Sequence, residues 1–181
     1  MLKFAVLGVR GFVLLFSAVV LGLSVTLAKH QVDGAPPSET SFGSFCGAFG
    51  VLVSLIGIAA VFIDKIPTIV PTVADGLAAA LYLAGAIALT IALKPITSCT
   101  SDDDHNPLER WNNKLLTGGC KTVGGIDYCP GRTNEAELKG RCQRVQADYV
   151  FEYLAFAFGV AVIALTFLFN KGRGSRSVAY V

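Results

Sequence analysis

Charge is scarce in this chain. Of its 181 residues only 15% are Asp, Glu, Lys or Arg, against about 25% in ordinary soluble domains. There are two His, one Trp and one Met. His30 and His105 lie in polar stretches with no nucleophile beside them, so they give no pattern for acid/base or nucleophilic chemistry. A formal charge of +2 is too small to hold a nucleic acid, and no basic run with interleaved aromatics occurs away from the hydrophobic segments. The close C-x₂₋₄-C pair that structural zinc favours is missing, as is any Asn-x-Ser/Thr acceptor for glycosylation. The expectation is a protein with no catalytic residue, no metal site, no cofactor and no nucleic-acid partner.

What the chain has in abundance is hydrocarbon, with 53% hydrophobic residues. They fall in four runs, Phe12–Ala28, Phe42–Ile63, Gly76–Leu93 and Tyr153–Asn170, each near or above the 18 or so residues that cross the hydrocarbon of a bilayer as a helix. With their flanks the spans are placed at about 11–28, 43–63, 73–93 and 147–170, leaving loops at about 29–42 and 94–146. Lys3, Arg10 and "TLA" before Lys29 also resemble a secretory leader. The length of the run and the three spans after it favour a retained helix.

The first loop, "KHQVDGAPPSETS", has no helical or strand period. Pro67 and Pro71 deny the backbone donors a helix needs, so spans two and three are joined by a tight turn. The long loop holds Trp111 and four of the five cysteines. Within it "CKTVGGIDYC" reads as a hairpin, because Gly124-Gly125 accepts the positive φ of a two-residue turn. Counting outward, Val123 faces Ile126 and Cys120 faces Cys129, on a pair whose Cα atoms sit about 4.5 Å apart, within disulfide reach. A Cys120–Cys129 bridge leaves Cys99 and Cys142 to clasp the mouths of spans three and four, although four cysteines allow three pairings. Cys46 is left as a small buried hydrophobe. Asn106-Pro107 opens a short amphipathic helix running through "LERWNNKLL" to Gly118, with Leu108, Trp111 and Leu115 on one face. Trp111 is expected at the lipid headgroups or on the hairpin. Asn134 with Glu137 gives a capping-box start for a fourth helix that begins outside the bilayer.

The fold class expected is an all-α membrane protein: an antiparallel four-helix transmembrane bundle with a disulfide-stapled extracellular loop containing a short helix and a small β-hairpin. The long loop carries eight Lys and Arg and the opposite face six, so the positive-inside rule is equivocal. Disulfides persist outside the cytosol, which puts the cysteine loop outside and both termini inside. Asp102-Asp103-Asp104 reads as a solvated turn. The basic end "NKGRGSRSVAYV" reads as an inside anchor, with weak contact to anionic lipid as a further possibility.

Within the spans, Gly76, Ala80, Ala84, Ala88 and Ala92 form an every-fourth-residue stripe of the kind that lets helices approach closely in lipid. Three ionisable groups, Arg10, Asp75 and Glu152, fall inside the bilayer and are functional suspects. Arg10 and Asp75 both lie near the inner boundary, where they pair or snorkel. At the middle of the spans only isolated Ser17, Ser24, Ser54, Tyr82 and Thr90 break the apolar pattern, too few for a conduction path within one subunit.

"VRGFVLLFSAVVLGLSVTLAKHQ", an Asp heading an alanine-rich third helix, "SC" at its exit and "CQRVQADYVFEYLAFAF" entering the fourth together resemble fungal MARVEL-domain proteins of the non-classical export and eisosome-associated kind. The likeness runs from about Phe4 to Asn170, and the enlarged outer loop departs from it. It implies a single tetraspan domain over 1–181 in which Arg10, Asp75, Cys99 and Cys142 are family-type positions, the two cysteines paired. It also implies a non-enzymatic organiser of lipid-rich plasma-membrane domains, linked to sphingolipid or sterol, acting as a homo-oligomer or with other membrane proteins. Two other classes share the layout: a tetraspanin-like or claudin-like receptor or adhesion protein, and an oligomeric pore. No Cys-Cys-Gly in the long loop and no cysteine pair in the first one weigh against the former.

Overall fold

Four apolar stretches become four long helices in the computed structural model, which describes residues 2–63, 67, 69–103, 105–124, 126–129 and 134–177, with the side chains of 2, 3, 127 and 169–177 aside. They are α1 (Leu2–Lys29), α2 (Ser38–Phe62), α3 (Ile69–Leu93) and, after the polar segment, α6 (Glu135–Ser177). The polar segment contributes α4 (Asn106–Asn112), α5 (Lys114–Thr117), β1 (Lys121–Val123) and β2 (Ile126–Tyr128). All four long helices carry stretches apolar enough to cross a membrane. At 1.5 Å per residue the 28 residues of α1 reach about 42 Å, more than the roughly 30 Å of hydrocarbon.

All four long helices start earlier than the apolar runs indicate, α2 by a turn at Ser38. α1 begins at Leu2 rather than near residue 11, so Arg10 lies within the helix, only 3% exposed. α3 begins at Ile69, with Pro71 in its first turn, where a missing donor costs nothing because that N–H has no intrahelical acceptor. α6 begins at Glu135, where Asn134 Oδ1 accepts from the Ala136 N–H at 3.0 Å. The expected reciprocal arm of a capping box is absent, since Glu137 turns outward to pair with Arg141 at 2.6 Å.

α1 packs on α2 and α6, and α3 on the same two neighbours, so the four helices close a ring with α1 and α3 on its diagonal. The inward faces follow one rule. On α1 the buried residues are Val6, Arg10, Val13, Ser17, Val20, Ser24 and Leu27, alternating steps of four and three. Thr40, Gly43, Gly47, Gly50, Ser54 and Gly57 of α2 do the same. A spacing averaging 3.5 keeps a helix face on its neighbours under the shallow left-handed crossing usual in four-helix bundles. The opposite faces carry exposed apolar side chains, among them Leu15, Phe45, Leu52, Leu77, Ile91 and Val160, which suit lipid.

The stripe Gly76, Ala80, Ala84, Ala88 and Ala92 is not the packed face of α3. Ala80 and Ala84 are exposed and the others half-buried, while Asp75, Ala78, Ala79, Tyr82, Gly85, Ala86 and Leu89 face inward. Steps of four overshoot a turn of 3.6 residues, so such a stripe winds around the helix, whereas the 75, 82, 89 heptad stays on the seam.

The polar segment folds as a cap on one end of the bundle. Leu115, Leu116, Leu138, Cys142 and Val145 join Leu27, Leu89 and Leu93 in one apolar cluster. The anticipated single helix from Asn106 to Gly118 is broken at Asn113, whose backbone is extended (ψ 119°). Asn113 leaves the helix because its side chain has two other partners: Nδ2 donates to Ala92 O at 2.8 Å and Oδ1 accepts from Leu115 N–H at 3.0 Å. As a result Leu115 is buried while Leu108 and Trp111 stay exposed, and the three do not share a face. The Trp111 indole donates to Glu135 Oε2 at 3.1 Å, so its seat is the start of α6. In the hairpin Lys121 pairs with Tyr128, Thr122 with Asp127 and Val123 with Ile126. Gly124 takes φ 62° at the turn; Gly125 lies outside the described residues. Cys120–Cys129 and Cys99–Cys142 are disulfides with Cα separations of 4.2 and 5.5 Å.

Candidate functional site: a polar spine inside the bundle

Charged and hydroxyl groups inside the bundle are gathered into layers seven residues apart. On α1 they are Arg10, Ser17 and Ser24, and opposite each stands a glycine of α2: Gly57, Gly50 and Gly43. A Cβ on Gly57 would overlap the Arg10 guanidinium, one on Gly50 the Tyr82 hydroxyl, and one on Gly43 the Ser24 hydroxyl. The glycines are there because polar side chains cross the bundle through the room they leave.

Across the first layer Arg10 makes a two-pronged pair with Asp75 of α3, Nη1 to Oδ1 at 3.1 Å and Nη2 to Oδ2 at 2.7 Å. Asp75 is 8% exposed. Planar fork-to-carboxylate pairing of this kind fixes both side chains. The alternative of snorkelling to the interface does not describe this geometry. In the second layer the Tyr82 hydroxyl donates to Ser17 Oγ at 2.7 Å, and Ser17 donates to Val13 O at 2.6 Å. In the third, Ser24 Oγ donates to Asp148 Oδ2 at 2.5 Å. Glu152, one turn further along α6 and 0% exposed, lies beside Gly85 and Gly43. Between layers the core is apolar, with Val20, Cys46, Val53, Ala78 and Ala155 surrounded by Phe16, Phe49, Phe151 and Phe156.

Gly47 marks the tightest helix approach. A Cβ there would stand 2.6 Å from the Leu21 backbone N and 2.7 Å from its Cα, so α1 and α2 touch main chain to main chain, the contact that small residues permit in membranes.

The cap has its own polar centre. Arg110, 0% exposed, donates through Nε and Nη2 to Glu135 Oε1 at 2.8 and 2.5 Å, and through Nη1 to the carbonyls of Ser98 and Ser101. Asp102 pairs with Lys139 and lies 3.6 Å from Arg110. Asp103 Oδ1 accepts from the Asn106 N–H at 2.9 Å, and these hydrogen bonds hold its carboxyl below the usual aspartate range. The acidic run is therefore partly a structural clamp, with Asp104 outside the described residues. Arg141 donates to Leu116 O at 2.8 Å, which binds α5 to α6.

Of the residues singled out from sequence, Arg10 and Asp75 come together. Glu152 lies apart from them, one turn from Asp148 on the same helix. Ser17, Ser24 and Tyr82, read as isolated, are members of the spine. The pattern that would have found them is the shared heptad of Arg10, Ser17 and Ser24 with Gly43, Gly50 and Gly57. Among the described residues no group of three or more His, Cys, Asp or Glu is placed to hold a metal ion.

No curated protein and no solved structure matches the chain. The family model of the MARVEL membrane-associating domain matches residues 3–168, a range that takes in the four apolar helices, the spine and the cap. The chain belongs to the MARVEL family of membrane-associating domains.

Proposed function

We propose that this protein is a non-enzymatic organiser of lipid-rich plasma-membrane domains, of the eisosome-type and sphingolipid-linked kind, working through helix–helix and helix–lipid packing. The observation that carries the reading is the division of labour in the bundle. Most inward polar groups pair with one another, in Arg10–Asp75, Ser17–Tyr82 and Ser24–Asp148, while the outward faces present apolar side chains to lipid. Paired groups inside a bundle hold helices together, whereas transport needs a polar route with exchangeable partners at mid-depth. Ala80 and Ala84 on the outer face of α3 give a second copy or another membrane protein a place to pack closely. The two disulfides support placing the cap outside the cell with both termini in the cytoplasm.

The test is reconstitution of labelled protein into giant vesicles containing sphingolipid, sterol and an unsaturated phospholipid. An organiser concentrates in the ordered phase and shifts its boundary. Even distribution between phases as dispersed monomers would refute the proposal, and protein-dependent ion flux in the same vesicles would replace it with a pore.

A further inference from the structure

Asp148 and Glu152 stand one turn apart on the inward face of α6, both 0% exposed. One oxygen of Asp148 is held by Ser24, but Asp148 Oδ1 and both oxygens of Glu152 have no hydrogen-bond partner among the described residues. Ser24 of α1 faces them, and Cys46 of α2 and Tyr82 of α3 are buried in the same part of the bundle, in one cluster with Phe151 and Ala155 of α6. Arg10 is committed to Asp75, and the remaining ion pairs of the described residues lie in the cap. The Glu152 carboxylate occupies room left by two glycines: a Cβ on Gly85 would lie 2.7 and 2.8 Å from its two oxygens, and one on Gly43 3.4 Å from Oε1.

Two buried carboxylates without a compensating charge are strongly unfavourable. A proton on Glu152 removes its charge but leaves an O–H and a C=O without partners, so the hydrogen-bonding deficit persists. A small metal ion answers both, because carboxylate and hydroxyl oxygens are hard ligands that several contacts to one ion satisfy together. A divalent ion would have to shed a far more tightly held water shell to enter a site with no exposure. We propose that Asp148, Glu152 and Ser24 form a buried binding site for a sodium-sized monovalent cation. One such ion, with a proton on the second carboxyl, balances the pair. The site is independent of the lipid-organising role.

The experiment uses the full chain in mild detergent, with thermal unfolding recorded in sodium chloride and in choline chloride of equal ionic strength, from about pH 5 to pH 8. Binding to the folded form raises its melting temperature by mass action. Sodium is expected to raise Tm by several degrees over choline. Glu152→Gln is expected to erase the difference, and Ser24→Ala to move the sodium midpoint about tenfold higher, the loss of one ligand. Gly22→Ala, at a position with open space around it, is expected to keep the wild-type response. Equal Tm in the two salts at every pH would overturn the site and leave a merely protonated pair. So would a sodium response that survives Glu152→Gln. Should that variant fail to fold, an unchanged sodium midpoint in Ser24→Ala overturns it equally.

Discussion

Replacing Arg10 by leucine should be among the most damaging single changes in the bundle, and the double change with Asp75→Leu should be mild. Arg10 and Asp75 are 3% and 8% exposed and joined by two parallel hydrogen bonds. Arg10→Leu leaves the Asp75 carboxylate inside the bundle with neither prong, and Asp75→Leu leaves a guanidinium pressed against Gly57. Breaking a buried pair by removing one partner costs about 3–5 kcal/mol, roughly a hundred- to several-thousand-fold in the folding equilibrium. Removing both leaves two apolar side chains of similar bulk, a change that is often neutral or stabilising. The assay is a double-mutant cycle by reversible denaturation in mixed micelles. Ordinary interhelical hydrogen bonds in membranes average only about 0.6 kcal/mol, so a coupling energy above about 2 kcal/mol marks a desolvated ion pair. Single changes that each cost less than about 1 kcal/mol and simply add would refute the reasoning, because the pair would then be solvated or exchanging with lipid headgroups.

Gly47→Ala should destabilise by about 1–3 kcal/mol, the range for overpacking, since its Cβ meets Leu21 backbone that cannot move without parting the helices; Gly22→Ala, in open space, should be silent in the same titration. Removing Cys99–Cys142, which closes a separation of 43 residues, should cost about 4 kcal/mol on chain-entropy grounds. Removing Cys120–Cys129, which closes only 9, should cost about 2.5 kcal/mol on the same grounds, and equal losses in thermal melts would contradict the entropic account. Asp103 is a depressed carboxylate, so its hydrogen bonds to Asn106 support the start of α4 above the ordinary aspartate pKa of 3.8 and are lost as pH falls through its lowered value. Fluorescence of Trp111 on α4 should report that loss in acid, and Asp103→Ala should show the altered emission already at neutral pH.

The four helices were legible because hydrophobic length alone identifies them, and the Gly124 turn places Cys120 opposite Cys129 from local geometry. The interior was harder to read, since membrane helices are apolar on both faces and hydropathy does not tell lipid from core. The alanine stripe of α3 drew attention to the wrong side for that reason. Asp75 and Tyr82 show which way α3 faces only once Ser17, seven residues beyond Arg10, is seen to repeat their spacing. Asn113 was misread because helix propensity carries no information about the Ala92 carbonyl, a partner distant in sequence. Trp111 lay beyond local reading as well, its partner Glu135 being brought near by the cap as a whole.

Cys46 provides the most direct check on a closed bundle. It is 1% exposed and the one cysteine outside the two disulfides, set in the apolar core with Val20 and Tyr82 and 3.6 Å from the Leu81 carbonyl. In native membranes a bulky, water-soluble thiol reagent applied from both sides should leave it unmodified, and unfolding in detergent with denaturant should expose it to full reaction. Rapid modification in the intact membrane would mean that water reaches the heart of the bundle, and the spine would then be a pathway instead of a fastening.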